Sequence, residues 1–406
     1  MSKALYLNVP AHGHVNPSLP VVTSLIARGE EIVYVNNAEF REAVTETGAR
    51  FIPYPSGDGL KHLIANASGG HLAQNALALF QIGEPLIDFV QQVIDDERPD
   101  YLIYDSLACW GPMSAQMREL PTIATISTFA ISRNAMPPIG LAAMAHMLAG
   151  LVRVFPAYWQ TARRIRQQHP IQPTALPDVL MNLGDLNIVF TSQEFQPNST
   201  RFDDSFRFVG PSIGKRANQA DFPFKLLTRE QLVIYISLGT INNQNITFYQ
   251  QCFEALGDYP AQVILSIGRQ TKLESLGSTP TNFIVRDFVP QLDVLQHAHV
   301  FVTHGGLNSA HEGLLAGVPL VVIPQQIEQS IVAQQIASKG AGIAVGVQPP
   351  FGQVTSSQIR QAVERVLGPE GASFRQQAQR LGDSLRQAGG SARAVDEILA
   401  FVGRAK

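Results

Sequence analysis

The sequence predicts two α/β domains, each a doubly wound, Rossmann-like parallel sheet. Three observations predict it. A chain of 406 residues exceeds one ordinary core and suggests two domains of roughly 200 residues each. From the first residues onward, short apolar runs alternate with helical patterns, the rhythm of βαβ units. The apolar run Val300-Phe301-Val302-Thr303, short enough for a buried strand, ends at His304-Gly305-Gly306, where strand gives way to glycine turn and then to helix.

Composition excludes several partners. Thirty basic against 33 acidic residues leave no strong field for nucleic acid or an anionic membrane, so small molecules or proteins are expected. Cys109 and Cys252 are the two cysteines and lie far apart, which implies no disulfide framework and favours a reducing compartment. The opening MSKALYLNVP lacks the apolar core and cleavage site of a signal peptide, and no apolar run reaches the ~20 residues of a membrane span. A cytoplasmic location is expected, with oligomeric state left open.

The first domain, 1–213, opens with a strand from Ala4 to Val9 and the loop Pro10-Ala11-His12-Gly13-His14-Val15-Asn16-Pro17. Asn16 suits an N-cap and Pro17 the first position of a helix running to about Ala27. Strand, helix and strand follow at Glu31 to Val35, Ala38 to Thr47 and Ala49 to Tyr54. Glycine, serine and asparagine from Ser56 to Gly70 read as a loop before a long amphipathic helix, Leu72 to Asp95. A strand at Tyr101 to Asp105, a helix from Trp110 to Leu120 and a strand at Thr122 to Ile126 lead into irregular chain from Ser127 to Ile139. Two apolar helical stretches lie between Leu141 and His169. The first carries Met144 and Met147, as core or as a wall for a greasy substrate, and the second an arginine face of Arg153, Arg163, Arg164 and Arg166. The strand Leu186 to Thr191 and a segment ending Val209-Gly210-Pro211 close the domain.

The polar run GKRANQADFP, 214–223, reads as a linker. The second domain, 224–388, carries strands at Leu232 to Ser237, Gln262 to Ile267, Phe283 to Val285, Val300 to Thr303, Pro319 to Ile323 and Ala341 to Val345. Helices at Ser356 to Leu367 and Ser373 to Arg386 follow, and Ala392 to Val402 forms another within the tail 389–406.

The turn after Thr303 is the first candidate site. With Asn308 or Ser309 capping a helix that stops near Gly317-Val318-Pro319, backbone N–H groups and the positive helix end converge on one spot, which favours phosphate. His304, Asn308 and Ser309 can bond phosphate oxygens, while Glu312 can accept from ribose hydroxyls. Glu328 and Gln329 suit sugar hydroxyls, and Phe288 and Gln291 offer a flat face and an amide for a base. The second candidate lies beyond the carboxyl end of the first strand, where a doubly wound sheet places its ligand. His12 and His14 sit there, and an imidazole can take a proton from an attacking hydroxyl while Asp105, ending its own strand, holds the tautomer.

The segments Phe288-Val289-Pro290-Gln291, His304-Gly305-Gly306-Leu307-Asn308-Ser309, Glu312, Gly317-Val318-Pro319, Pro324 and Glu328-Gln329 together resemble the nucleotide-sugar signature of the family 1 glycosyltransferases. In plant members it runs W-x-P-Q, H-x-G-x-N-S, E, G-V-P, P and D/E-Q; Phe288 stands for tryptophan and offers a smaller face to uracil. Residues 11–17 resemble the family's G-H-x-x-P loop, above all in its bacterial macrolide and flavonoid branch. The resemblance implies GT-B architecture, with two Rossmann-like domains facing across a cleft and the last helix returning to the first domain. It implies His14 rather than His12 as base and Asp105 as its partner. Donor contacts would come from Ser237, Thr240, Phe288, Gln291, His304, Gly306, Asn308, Ser309, Glu312, Glu328 and Gln329. The implied reaction is inverting transfer of a hexose, glucose first, from a UDP-sugar to a hydroxyl of a lipophilic acceptor, giving a β-glycoside. No D-x-D carboxylate pair sits where a diphosphate-bound metal would be held, so no cofactor and no divalent metal are expected. A nucleotide-sugar epimerase and a non-catalytic nucleotide-sugar-binding protein are the alternatives. A dinucleotide oxidoreductase is disfavoured, since no G-x-G-x-x-G follows the first strand.

Overall fold

The computed structural model describes residues 2–55, 72–132, 135, 141–214, 222–227, 231–239, 243–349 and 351–405, with backbone alone at 141–147 and 405. The expected loop 56–70, most of the polar linker and Thr240 lie outside the described residues, as do the side chains of Met144 and Met147. The chain falls into two compact units, one reaching Gly214 and resuming at Ala388, the other ending at Gln387.

The first unit runs β1 (Lys3–Leu7), α1 (His12–Ala27), β2 (Glu31–Asn36), α2 (Arg41–Thr45), β3 (Arg50–Pro53), α3 (Leu72–Glu97), β4 (Tyr101–Asp105), α4 (Trp110–Gln116), β5 (Thr122–Ile126), α5 (Leu141–Gln168), β6 (Leu186–Val189) and β7 (Phe206–Phe208). The strands form one parallel sheet in the order β3-β2-β1-β4-β5-β6-β7. Its central strands are apolar on both faces because helices cover both. Leu5, Leu7, Leu102 and Tyr104 pack with α3 and α4, whereas Ala4, Tyr6, Tyr101 and Ile103 pack with α1.

Helix α1 begins earlier than the expected Asn16 cap. Ala11 is the N-cap in extended conformation, and the N–H groups of His14 and Val15 both donate to its carbonyl at 2.9 Å. Pro17 and Pro20 lie inside the helix, each forfeiting one ladder bond rather than starting it. Bonds to the sheet hold this turn: Asn8 donates to Tyr34 Oη at 2.8 Å and to the His14 carbonyl at 3.3 Å, and Ser18 Oγ lies 2.7 Å from Tyr34 Oη. Helix α5 is likewise one helix, not two stretches. Pro156 lies within it, and the buried stripe Val154, Ala162 and Ile165 carries on past the proline.

The second unit runs β8 (Leu232–Ser237), α6 (Ile246–Leu256), β9 (Ala261–Ser266), β10 (Phe283–Arg286), α7 (Gln291–Leu295), β11 (Val300–Thr303), α8 (Leu307–Leu315), β12 (Leu320–Val322), α9 (Ile327–Ser338), β13 (Gly342–Ala344), α10 (Ser356–Leu367) and α11 (Gly371–Gln387). Its sheet is also parallel, ordered β10-β9-β8-β11-β12-β13. The last helix, α12 (Gly390–Ala405), packs in the first unit, where Ala394, Val395 and Ile398 join the core of Val22 and Ile103. In each sheet the chain winds outward from a central strand and then reverses, between β1 and β4 and between β8 and β11. Among the described residues no helix is long and apolar enough to cross a membrane.

Replacing Tyr34 by Phe removes the hydroxyl that meets both Asn8 and Ser18 in a fully buried position. Urea unfolding should show a loss of about 1–3 kcal/mol; an unchanged midpoint would mean that this network does not hold α1.

Candidate active site

The first cluster lies at the reversal of the first sheet, where β1 and β4 are neighbours. Asp105, the last residue of β4, is 1 % exposed, and its Oδ2 lies 2.8 Å from His14 Nδ1. Its Oδ1 accepts from the Leu107 N–H at 2.9 Å. An ionised carboxylate only accepts, so this pairing assigns the proton to Nδ1 and leaves a lone pair on Nε2. His12 is exposed and stands edge-on to Phe40, with ring centres 5.0 Å apart.

Sequence reasoning missed Ser127 here. Its Oγ lies 2.8 Å from the same Nδ1. The available signal was its place just past β5, whose Thr125 pairs with Asp105. Carboxyl ends of central strands face the ligand in such sheets.

The second cluster lies at the other reversal. Ser237 ends β8 and pairs with Thr303 at the end of β11. The Ser237 hydroxyl accepts from the Gly239 N–H at 3.2 Å. The His304 imidazole lies against two glycines: a Cβ at Gly239 would fall 2.6 Å from its Cε1, and one at Gly306 2.5 Å from its Nε2. Burial pushes the His304 pKa down to about 4, against the opposing effect of a hydrogen bond with the Ser237 backbone. The ring is therefore neutral at neutral pH. Gly305, at φ +84°, makes the turn that L side chains rarely adopt.

Helix α8 starts at Leu307 with Gly306 as N-cap, so neither Asn308 nor Ser309 is the cap expected from the sequence. The turn tightens sooner than a polar cap requires, since glycine is itself acceptable at that position. Asn308 and Ser309 thus stand in the first helical turn, among backbone donors that no capping side chain takes from the N-cap position. The positive end of the helix dipole lies at the same turn.

Three of the expected contacts are joined directly. Gln291, the first residue of α7, donates through Nε2 to Glu312 Oε2 at 2.7 Å and to Ser309 Oγ at 3.4 Å. Its Oε1 accepts from the Tyr235 hydroxyl at 2.9 Å. Glu312 is 3 % exposed, so one of its oxygens is already committed within the protein. Phe288 is exposed three residues before Gln291, and Glu328 is exposed in the first turn of α9. Gln329 is buried and its Oε1 accepts from the Gln325 N–H at 2.7 Å, which closes the loop ahead of α9. Among the described residues no group of three or more His, Cys, Asp or Glu side chains is placed to hold a metal ion.

Two parallel-sheet units, each with a polar cluster at its reversal, define the GT-B class, and comparison with known proteins agrees. Residues 250–398 match the family model described as Erythromycin biosynthesis protein CIII-like, C-terminal domain. The chain is 35% identical over 405 residues to the uncharacterized UDP-glucosyltransferase YojK of Bacillus subtilis (strain 168), covering 99% of this chain and 98% of that protein. It is 27% identical over 405 residues to the oleandomycin glycosyltransferase of Streptomyces antibioticus, covering 96% and 89%. The crystal structure of CalG4, the calicheamicin glycosyltransferase, superposes with a TM-score of 0.80 at 27% identity, over 100% of this chain and 99% of that one. The chain belongs to the family 1 glycosyltransferases of GT-B fold, in their bacterial macrolide and flavonoid UDP-glycosyltransferase branch.

His311, buried on α8, has its pKa pushed down to about 3 by burial, beside the value of about 4 for His304. Both histidines stay neutral in the native protein while their unfolded counterparts protonate near 6.5. Their stabilising contribution is full above about pH 6.5 and is lost as pH falls from there toward 4. Urea midpoints should fall over that window, and less steeply in His311→Gln; parallel slopes in the two proteins would contradict the assignment.

Proposed function

We propose that the enzyme transfers a hexose, glucose in the first place, from a UDP-sugar to a hydroxyl of a lipophilic small molecule, inverting the anomeric centre and leaving a β-glycoside. The observation that carries this reading is the 2.8 Å contact of His14 Nδ1 with buried Asp105, which puts the proton on Nδ1 and the basic lone pair on Nε2. In this reading the first unit binds the acceptor. Nε2 takes the proton of the acceptor hydroxyl as its oxygen attacks the anomeric carbon, and Asp105 stabilises the imidazolium.

The second unit holds the donor. Charge developing on the departing diphosphate meets the first turn of α8, with Asn308, Ser309 and the His304 ring as further donors. These groups are fixed before reaction, His304 by its two glycines and Ser309 by Gln291. Phe288 and Gln291 serve the base, Glu312 the ribose, Glu328 and Gln329 the sugar, and Ser237 and Thr240 the neighbouring loop of the diphosphate site. The name of the Bacillus subtilis relative YojK supports a UDP-sugar, and those of the macrolide enzymes support a large, lipophilic acceptor. We further propose that no divalent metal takes part, because the helix end and neutral donors supply the stabilisation. Cys109 and Cys252 are free and buried, which suits a reducing compartment such as the cytoplasm.

The reading is tested with UDP-sugars against a panel of phenolic and macrolide acceptors. His14→Ala should lower kcat by about 10²–10⁴-fold, and a chelator should leave wild-type turnover intact. An alanine variant as fast as wild type would remove the base, and loss of activity on chelation would remove the metal-free mechanism. Gly306→Ala, whose new methyl meets His304 Nε2, should raise KM for the donor more than KM for the acceptor. An unchanged donor KM would place the diphosphate elsewhere.

A further inference from the structure

We infer that Ser127 is a positioning residue for His14, fixing the imidazole by a second hydrogen bond at Nδ1 and supporting the cation formed when Nε2 takes a proton. The inference rests on His14 acting as the base. Two oxygens, Asp105 Oδ2 and Ser127 Oγ, lie at 2.8 Å from that one nitrogen. They come from neighbouring parallel strands: Asp105 ends β4, and Ser127 follows β5 directly. Ser127 is 6 % exposed, so its hydroxyl is held in the protein rather than in bulk water.

The two partners do different chemistry. The carboxylate accepts only, so it serves Nδ1 when that atom carries a proton. With the proton on Nδ1, the Ser127 hydroxyl oxygen shares that N–H as a second acceptor beside the carboxylate. One hydrogen bond leaves the ring able to swing about its Cβ–Cγ bond, whereas two partners on separate strands fix its plane and so the direction of Nε2. When the acceptor O–H bond breaks, the proton moves to Nε2. The acceptor oxygen bonds to the anomeric carbon, and the bond to the diphosphate oxygen breaks with its electron pair leaving on the diphosphate. The imidazole is now cationic, both contacts at Nδ1 become charge-assisted, and the Nε2 proton later passes to water. A hydrogen bond that strengthens with charge raises the ring's proton affinity, so its loss lowers the pH at which the free enzyme loses activity.

The test uses the full-length protein with UDP-glucose and a phenolic acceptor from pH 5.5 to 9. It compares wild type with Ser127→Ala and with the similarly shaped pair Ser127→Thr and Ser127→Val, of which threonine alone keeps the hydroxyl. Ser127→Ala and Ser127→Val should lose about tenfold in kcat with KM for UDP-glucose within about twofold, and the acid limb of kcat/KM should move down by about half to one pH unit. Ser127→Thr should follow wild type. An acid limb in the Ala and Val variants that coincides with wild type overturns the inference, whatever their rates; so does a Thr variant that behaves like Val. Should alanine fail to fold, the Thr and Val pair decides alone. His14→Ala is measured alongside: if it retains wild-type turnover, the base assignment itself falls, and if it is inactive while the Ser127 variants are unshifted, only the role of Ser127 falls.

Discussion

A parallel sheet that reverses its direction of winding must open its loops at the reversal, and the polar clusters around His14 and around His304 each stand at such a reversal. At the β1 and β4 pair the chain leaves one strand for a helix on one face and the other for a helix on the opposite face: α1 packs with Tyr6 and Ile103, while α4 packs with Leu5 and Leu102. At the β8 and β11 pair the same divergence occurs. Helix α6 packs with Val300 and Val302, whereas Gly313 of α8 lies against Phe301 and Leu320 on the other face. Diverging connections leave the carboxyl ends of the central strands uncovered, and a helix start beside each.

The two reversals are furnished oppositely. His14 has a carboxylate at 2.8 Å and a hydroxyl at the same distance, so its surroundings receive positive charge. His304 lies in a glycine cradle near a helix N-terminus, where burial keeps it neutral. A cation is welcome in one place and excluded in the other. That contrast matches a reaction in which one imidazole gains a proton while the other only donates hydrogen bonds to a departing anion.

Much of this was legible because it is local. Strands such as Tyr101–Asp105 and Val300–Thr303 are short apolar runs with plain ends; Asp105 ends one and the turn at His304 follows the other, whereas the choice of His14 over His12 comes from the family resemblance. What was not legible depends on partners remote in sequence. Ser127 meets His14 across 113 positions, and Gln291 meets Glu312 and Tyr235 from a helix of five residues whose role no periodicity reveals. Pro17 misled as a helix start: it lies inside α1, where tertiary contacts compensate for one lost ladder bond. The cap at Gly306 was obscured by two better capping residues just after it.

The proposed reaction is a single displacement driven by one base. The configuration of the sugar in the product reports this most directly, read from the anomeric proton coupling in the NMR spectrum of a glucoside made from the α-linked donor. A large, trans-diaxial coupling, the mark of a β-glucoside, is the predicted result. A small coupling, meaning that the α configuration survives transfer, would contradict direct attack by a hydroxyl that His14 deprotonates.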